Sequence, residues 1–223
     1  TEIMCQNPPG SGNSLVGVLL ALESRKLVKG VFDTEFSDFG RTAPGSTADY
    51  LLEITNTSNV SITNIVVVDI LPWIGDTGVI DTASRLSKWQ PNLVGEVVPP
   101  SGVPLTIFYS KSTNPCRPEM VTGGPSGCVN DWAKTLPLNP ISGEPDATLV
   151  RAVKLDFCTY SGAVATACLK LERNETQSVT WPMRAPVSTP VSDDCKLSPA
   201  GPACQIAWNS FGVTAEGAGL KFL

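Results

Sequence analysis

The sequence predicts an all-β protein organised as an antiparallel β-sandwich. Short runs rich in β-branched and aromatic residues alternate with clusters of Gly, Pro, Asn and Ser, which is the pattern of strands joined by tight turns. Only 17% of the 223 residues are charged, and the chain carries 19 glycines and 19 prolines. A chain of this length can bury a sizeable core. We therefore expect roughly eight to ten strands in a sandwich, and neither a helical bundle nor a βαβ fold.

The predicted strands are regularly spaced along the chain, as in an immunoglobulin-like sandwich. They cover residues 26–32, 50–54, 62–70, 103–110, 148–158, 167–172, 177–183 and 205–215. We assign residues 1–25 to an N-terminal arm and 26–223 to one sandwich domain. Residues 113–145 form a Pro/Gly-rich excursion without periodicity, and an excursion of that length inside a compact domain is typically functional.

The stretch 50–72, YLLEITNTSNVSITNIVVVDILP, is the most specific segment of the chain. Two apolar runs flank the polar tract TNTSNVS, which predicts a β-hairpin or β-arch. The segment resembles the surface-protein repeat known as domain of unknown function eleven, with Ser58 in place of the family's Gly. The matching positions are Tyr50, Ile54, Thr55, Asn56, Thr57, Asn59, Val60, Thr63, Asn64, Val66, Val68, Asp69, Leu71 and Pro72. The resemblance implies an extracellular β-sandwich module of a cell-surface protein, adhesin or fibre, without enzymatic activity.

Seven cysteines predict an oxidising, extracellular setting. The chain has no His and no CxxC motif, so the usual zinc constellations lack their ligands. Close neighbours that bracket turn residues favour three local disulfides, although six cysteines permit about 15 pairings. The favoured pairs are Cys116–Cys128, Cys158–Cys168 and Cys195–Cys204. Cys5 is then left unpaired or bonded to another subunit.

Several function classes are disfavoured. The net charge of −5 gives no basic footprint for nucleic acid, and no apolar run approaches the length of a membrane span. The absence of His excludes Ser–His and Cys–His catalysis. The acidic clusters around Asp33 and Asp193 are interpreted as solvated loop acids, so we expect no metal and no cofactor. The chain starts at Thr1 without a basic-then-apolar leader, as a processed product would.

One constellation carries chemistry. The order Lys29, Asp69, Asn209 resembles surface sandwiches of the collagen-adhesin and sortase-pilin type, in which a first-strand Lys is joined to a last-strand Asn with an acid between them as proton shuttle. Strand alternation predicts that all three side chains point into an apolar interior. Lys29 shares its face with Leu27 and Val31. The resemblance implies an autocatalytic isopeptide bond; the alternatives are a buried ion pair, or a surface Lys with an exposed Asn.

The apolar run 14–22, SLVGVLLAL, follows an irregular arm. As a strand it would be apolar on both faces, which suits either of two roles. It is a donor strand that completes a neighbouring subunit by β-augmentation, or it is the first strand of its own sandwich. The residues assigned to a polymerisation strand are Leu15, Val16, Val18, Leu19, Leu20 and Leu22.

The sequence therefore favours a structural subunit of an extracellular fibre or surface appendage, with a second copy of itself as its partner. The alternative is a ligand-binding adhesin module that uses the excursion 113–145 and the regions of Trp73, Trp89 and Trp132. Three N-x-Ser/Thr sequons, at Asn56, Asn59 and Asn174, are interpreted first as turn residues.

Overall fold

The computed structural model describes residues 17–80, 83–188 and 206–223, and this part of the chain is almost entirely β. Its helical structure is limited to one 3₁₀ turn, Ala147–Leu149. The strands, in chain order, are β1 Leu22–Gly30, β2 Thr47–Asn56, β3 Ile62–Ile70, β4 Asn92–Leu93, β5 Thr106–Ser110, β6 Ala152–Asp156, β7 Cys158–Ser161, β8 Val164–Cys168, β9 Thr176–Arg184, β10 Ser210–Gly217 and β11 Leu220–Phe222.

The strands form two main antiparallel sheets. One has the order β1-β2-β9-β4 and the other β11-β10-β3-β6-β5, while β7 and β8 make a separate hairpin. Alternate residues of both sheets meet in one core. Its fully buried members include Leu52, Ile54, Ile65, Val67, Leu155, Trp181 and Met183. The predicted antiparallel sandwich is therefore confirmed.

The central strand β3 has the predicted bounds, and it contains a bulge that the sequence did not reveal. Asn64 has φ 49°, a left-handed conformation that Asn tolerates better than most residues. Opposite it, the register with β10 shifts between Thr214 and Glu216. The extra residue lets Ile62 and Ile65 both face the core although their spacing is three. The Asn64 amide donates to Glu216 Oε2 over 2.7 Å, which fixes the bulge.

The first strand differs from its prediction. β1 begins at Leu22 rather than at residue 26 and ends at Gly30. The predicted strand over 14–22 is not present in its described part, because residues 17–21 are irregular. The cause is the Ser58–Asn59 turn, whose side chains occupy the backbone groups of this segment: Asn59 Oδ1 accepts from Leu19 N–H and Ser58 Oγ accepts from Ala21 N–H, both at 2.9 Å.

Other strand boundaries also moved. The predicted strand 148–158 is divided into the 3₁₀ turn, β6 and β7, and the predicted strand 205–215 begins only at Ser210. The two-residue β4 was not predicted at all, because a strand of that length leaves no periodicity. Conversely, residues 177–183 lie within β9 as expected.

The excursion 113–145 covers the outer face of the five-stranded sheet. Met120 packs there with Val79, Val68, Ile70 and Ala152 in a second apolar cluster. This explains why β3 is apolar on both faces, since its outward residues are buried by a loop instead of facing water. The buried Arg117 anchors the excursion by donating from Nε to Val79 O over 2.6 Å.

Two of the three predicted disulfides are present. Cys116–Cys128 closes the excursion, and Cys158–Cys168 joins β7 to β8. Cys5, Cys195 and Cys204 lie outside the described residues. Two disulfides indicate a non-reducing environment.

We expect non-reducing peptide mapping of the native protein to recover the linked peptides of Cys116–Cys128 and Cys158–Cys168, and also a Cys195–Cys204 peptide. The physical reason for the last pair is its short separation, which resembles that of the two observed bridges. A linkage of Cys195 or Cys204 to Cys5 would contradict the local pairing.

Candidate functional site

An ion pair lies at the centre of the sandwich. Lys26 projects from β1 and Asp69 from β3, so the pair joins the two sheets, and Lys26 Nζ donates to Asp69 Oδ2. The two side chains are only 6% and 1% exposed. Burial of a charged pair carries a large desolvation cost, so the position of the pair does not by itself indicate a net stabilisation.

Two aromatic rings enclose the ammonium group. Lys26 Nζ lies 5.1 Å from the ring centre of Tyr50 and 5.0 Å from that of Trp181. The rings are stacked with their centres 6.5 Å apart. They exclude water from the Lys26 side chain while offering a cation–π interaction to its charged form.

Desolvation by this burial lowers the pKa of Lys26 to about 8. The Asp69 carboxylate opposes the change, and the nearby Arg85 guanidinium adds to it. The neutral amine is therefore accessible near neutral pH. Asp69 Oδ1 is buried and has no hydrogen-bond partner.

Asn209, the third residue of the predicted constellation, lies next to the strand that carries Asp69. It immediately precedes β10, where Ser210 pairs with Ile70 and Phe211 pairs with Asp69. Asn209 is thus the diagonal cross-strand neighbour of Asp69, and such Cβ atoms are within about 7–8 Å of each other. Both polar atoms of its amide are buried without a partner.

The structure places Lys26, and not Lys29, on the core face of β1. Lys29 was predicted to face the interior, but the core-facing residues of β1 include Leu22 and Val28, and Lys26 shares their alternation. Lys29 instead pairs across β1 and β2 with Asp49, with which it lines a shallow surface groove. The prediction failed because Leu27 was taken to mark the core face. Leu27 is buried, yet it lies outside the core cluster.

A buried network beside the site was not predicted. Arg85 Nη1 donates to Ile70 O and to Ser210 Oγ, both at 2.9 Å, and Arg85 Nη2 lies 2.9 Å from Asp76 Oδ2. Ser87 Oγ donates to Asp76 Oδ2 over 2.6 Å and accepts from the Trp208 N–H over 2.9 Å. The network therefore fixes the segment that carries Asn209. The network joins loops that are distant in sequence, so the spacing of residues along the chain could not predict it.

The aromatic residues proposed for ligand binding do not form an exposed platform. Trp73, Trp89 and Trp132 are each partly buried. Trp132 packs on the outer cluster, and its Nε1–H donates to Cys116 O over 2.6 Å. These contacts give the excursion and its tryptophan a structural role, so they do not favour the adhesin alternative.

The acidic loop residues have structural partners as well. Asp33 Oδ2 accepts from the backbone N–H groups of Gly30 and Arg41, and these bonds lower the pKa of Asp33. Within the described ranges, no three metal-ligating side chains come together. Asp193 and Asp194 lie outside those ranges.

Comparisons with known proteins give no further identification. No family model, no curated protein and no solved structure matches this chain. Among the residues that the structure describes, no helix has the length and apolar character needed to cross a membrane.

Proposed function

We propose that this chain is a structural subunit of an extracellular fibre or cell-surface appendage, in which residues 14–22 of one copy complete the sandwich of the next. The observation that carries the proposal is the way in which the described part of this segment is held. Residues 17–21 are held by hydrogen bonds to the Ser58–Asn59 turn and by packing of Leu20, and another copy of the same segment could make all of these contacts.

The contacts are concentrated on one turn and one groove. Leu19 and Ala21 hydrogen-bond to Asn59 and Ser58, while Leu20 packs against Gly217. Val18 and Leu19 remain 55% and 60% exposed. Two adjacent exposed apolar side chains on a segment outside the sheets leave apolar surface that another chain can cover. Leu15 and Val16 lie outside the described residues.

The groove beside this segment is apolar and open. It has a volume of about 460 Å³ and lies where the two sheets meet, between the start of β1 and the strands β10 and β11. Phe211, Val213 and Phe222 line its far wall. A strand donated from a neighbour would place its alternate side chains against this wall and pair its backbone with a sheet edge. The repeated contact is heterologous and does not close, so it generates a filament.

The setting agrees with this role. The disulfides indicate a non-reducing environment. The excursion 113–145 covers the outer face of the five-stranded sheet. The resemblance of residues 50–72 to a repeat of cell-surface proteins supports the same location.

The test is negative-stain microscopy of the native protein combined with substitution of the arm. We expect filaments for the wild type and none for Val18→Glu or Leu20→Glu, because a charge on the donated strand cannot enter an apolar groove. A chain lacking residues 1–24 should aggregate alone and become a soluble monomer when a peptide spanning residues 14–23 is added.

Val98→Glu is the matched control, since Val98 is 74% exposed and far along the chain from the arm. It should leave filaments intact. The proposal fails if the truncated chain is a stable monomer that ignores the peptide, or if the wild type is monodisperse at every concentration.

A further inference from the structure

Three N-x-Ser/Thr sequons lie close together at one end of the sandwich. Asn56 ends β2 and Asn59 lies in the turn that follows it, while Asn174 lies in the turn before β9. Backbone hydrogen bonds join the two turns, from Asn56 N–H to Glu175 O over 3.0 Å and from Asn174 N–H to Asn56 O over 2.7 Å. An Asn-linked glycan is bulky and hydrophilic, so it requires an acceptor amide that is open to solvent. The three sequons differ by this criterion.

Asn56 is closed to modification in the folded chain. Its side chain is fully buried, and Nδ2 donates to Val60 O and to Leu171 O, both at 2.9 Å. Both amide hydrogens are therefore in use. A sugar on this nitrogen would remove one of the two bonds and would have to occupy space that the close-packed interior already fills. The fold and a glycan at Asn56 exclude each other.

Asn59 is exposed, but the N-terminal segment occupies its amide. Nδ2 donates to Gly17 O over 2.6 Å, and Oδ1 accepts from Leu19 N–H over 2.9 Å. The Asn59 backbone N–H also donates to Leu19 O over 3.2 Å. A sugar on Nδ2 would displace residues 17–19 from the turn. A glycan at Asn59 therefore competes with the contacts that hold this segment.

Asn174 meets the criterion. It is exposed, as are its neighbours Arg173 and Glu175. Glu175 N–H donates to Glu172 O over 3.0 Å and closes the turn, in which Asn174 adopts φ 65°, a left-handed conformation that Asn tolerates. The hydrogen bond to Asn56 uses the backbone N–H of Asn174, so it leaves the side-chain amide accessible. A group attached there would extend into solvent without disturbing the core.

The hydroxyl that completes this sequon is accessible as well. Thr176 begins β9 with an exposed side chain, and its Oγ1 lies 2.7 Å from Thr55 Oγ1. Because both hydroxyls lie at the surface, water can replace either partner at small cost. The sequon requires a hydroxyl at this position. Thr176 therefore allows the sequon to be tested without changing Asn174 itself.

We propose that Asn174 carries an Asn-linked oligosaccharide. The donor is an oligosaccharide joined through its first anomeric carbon to a lipid pyrophosphate, and the acceptor is Nδ2 of Asn174. The bond from the anomeric carbon to the pyrophosphate oxygen breaks, and a bond from the same carbon to Nδ2 forms. Nδ2 loses one proton, and the lipid pyrophosphate leaves with the electron pair. The transfer involves no oxidation or reduction.

The environment of the chain suits this transfer. Sequons are glycosylated in surface turns of secreted proteins, and the two disulfides indicate a non-reducing compartment of the kind that secreted chains enter. The proposal concerns a modification of one chain and does not rest on filament formation.

The test is glycopeptide mapping by mass spectrometry of the protein from its natural source. Residues 42–85 contain no internal trypsin site, so Asn56 and Asn59 share one peptide. Cleavage after Lys170 or Arg173 places Asn174 in another. We expect a saccharide on Asn174 and an unmodified peptide 42–85.

Variants made in the same organism separate the sequon from other modes of attachment. Asn174→Gln and Thr176→Ala should each lose the saccharide completely, whereas Thr176→Ser should retain it because the hydroxyl is kept. Asn59→Gln is the matched control in the neighbouring turn, and it should leave the saccharide on Asn174 unchanged.

An unmodified Asn174 peptide from the natural source overturns the proposal. A saccharide on peptide 42–85 instead of on Asn174 overturns it too. Retention of the saccharide in Thr176→Ala would also contradict it, because attachment would then not depend on the sequon. The wild-type map decides the question even if a variant fails to fold. Because the map is obtained from single chains, the absence of filaments would leave this result unaffected.

Discussion

Replacing Asp69 with alanine should lower the free energy of unfolding by about 3–5 kcal/mol, because it breaks the buried ion pair with Lys26. Without Asp69, the Lys26 side chain, only 6% exposed between Tyr50 and Trp181, must either stay charged without a counter-charge or give up its proton. Either state costs free energy relative to the unfolded chain, in which the ammonium is hydrated. Urea denaturation at neutral pH measures the loss.

The matched control is the double replacement Lys26→Met with Asp69→Leu. It removes both charges and keeps apolar volume, so we expect it to recover most of the lost stability. A double-mutant cycle then gives the coupling between the two residues. The structure shows a buried pair. If Asp69→Ala lowers the free energy of unfolding no more than the double replacement does, that burial is contradicted.

The buried ion pair also makes stability depend on pH. The pKa of Lys26 is about 8 in the fold and higher in the unfolded chain, so the unfolded state binds more protons above pH 8. Stability should therefore rise from pH 8 towards about pH 10, by about 1–3 kcal/mol. Above that, Tyr50 acts in the opposite direction, because burial raises its pKa and only the unfolded chain loses the proton. The rise should vanish in Lys26→Met.

The sequence predicted the parts of this site that lie on regular strands. β3 has its predicted bounds, and the alternation that placed Asp69 inward holds because the bulge at Asn64 comes before it. The sequence analysis placed Lys29 on the core face of β1, whereas the structure has Lys26 there. In a strand with Lys26 and Lys29 at odd separation, the choice of face depended on Leu27 and Val31, and Val31 is 52% exposed beyond the end of the strand.

The rest of the site depends on loops, for which the sequence offers no periodicity. Arg85 and Asp76 are separated from the strands by turns, and only the folded chain shows that they hold Ser210 and hence the position of Asn209. Likewise, the excursion 113–145 carries no pattern that would predict its packing on Val68 and Ile70. Strand pairing fixes the core, whereas side chains from loops decide which polar groups meet.

The second large effect on stability is expected at the end of β2, where the chain turns towards β3. Asn56 is fully buried, and its Nδ2 donates to Val60 O and to Leu171 O, both at 2.9 Å. Its Oδ1 accepts from the Ser58 N–H over 2.9 Å. One side chain therefore closes the turn and attaches it to the segment before β9. Asn56 is the last residue of β2, and its side chain stabilises the turn that the sequence predicted at this sequon.

We expect Asn56→Ala to lower the free energy of unfolding by about 2–4 kcal/mol, because it leaves the buried Ser58 N–H and the partly buried Val60 carbonyl without this partner and removes one of the donors to Leu171 O. Asn59→Ala is the matched control in the same turn. The Asn59 amide contacts Leu19 N–H and Gly17 O at the surface, where water can replace it, so its loss should cost below about 1 kcal/mol. Thermal and urea denaturation of the two variants measure both values. Equal losses would contradict the buried role of Asn56, and a larger loss for Asn59→Ala would mean that the N-terminal segment, rather than the turn, holds this end of the sandwich together.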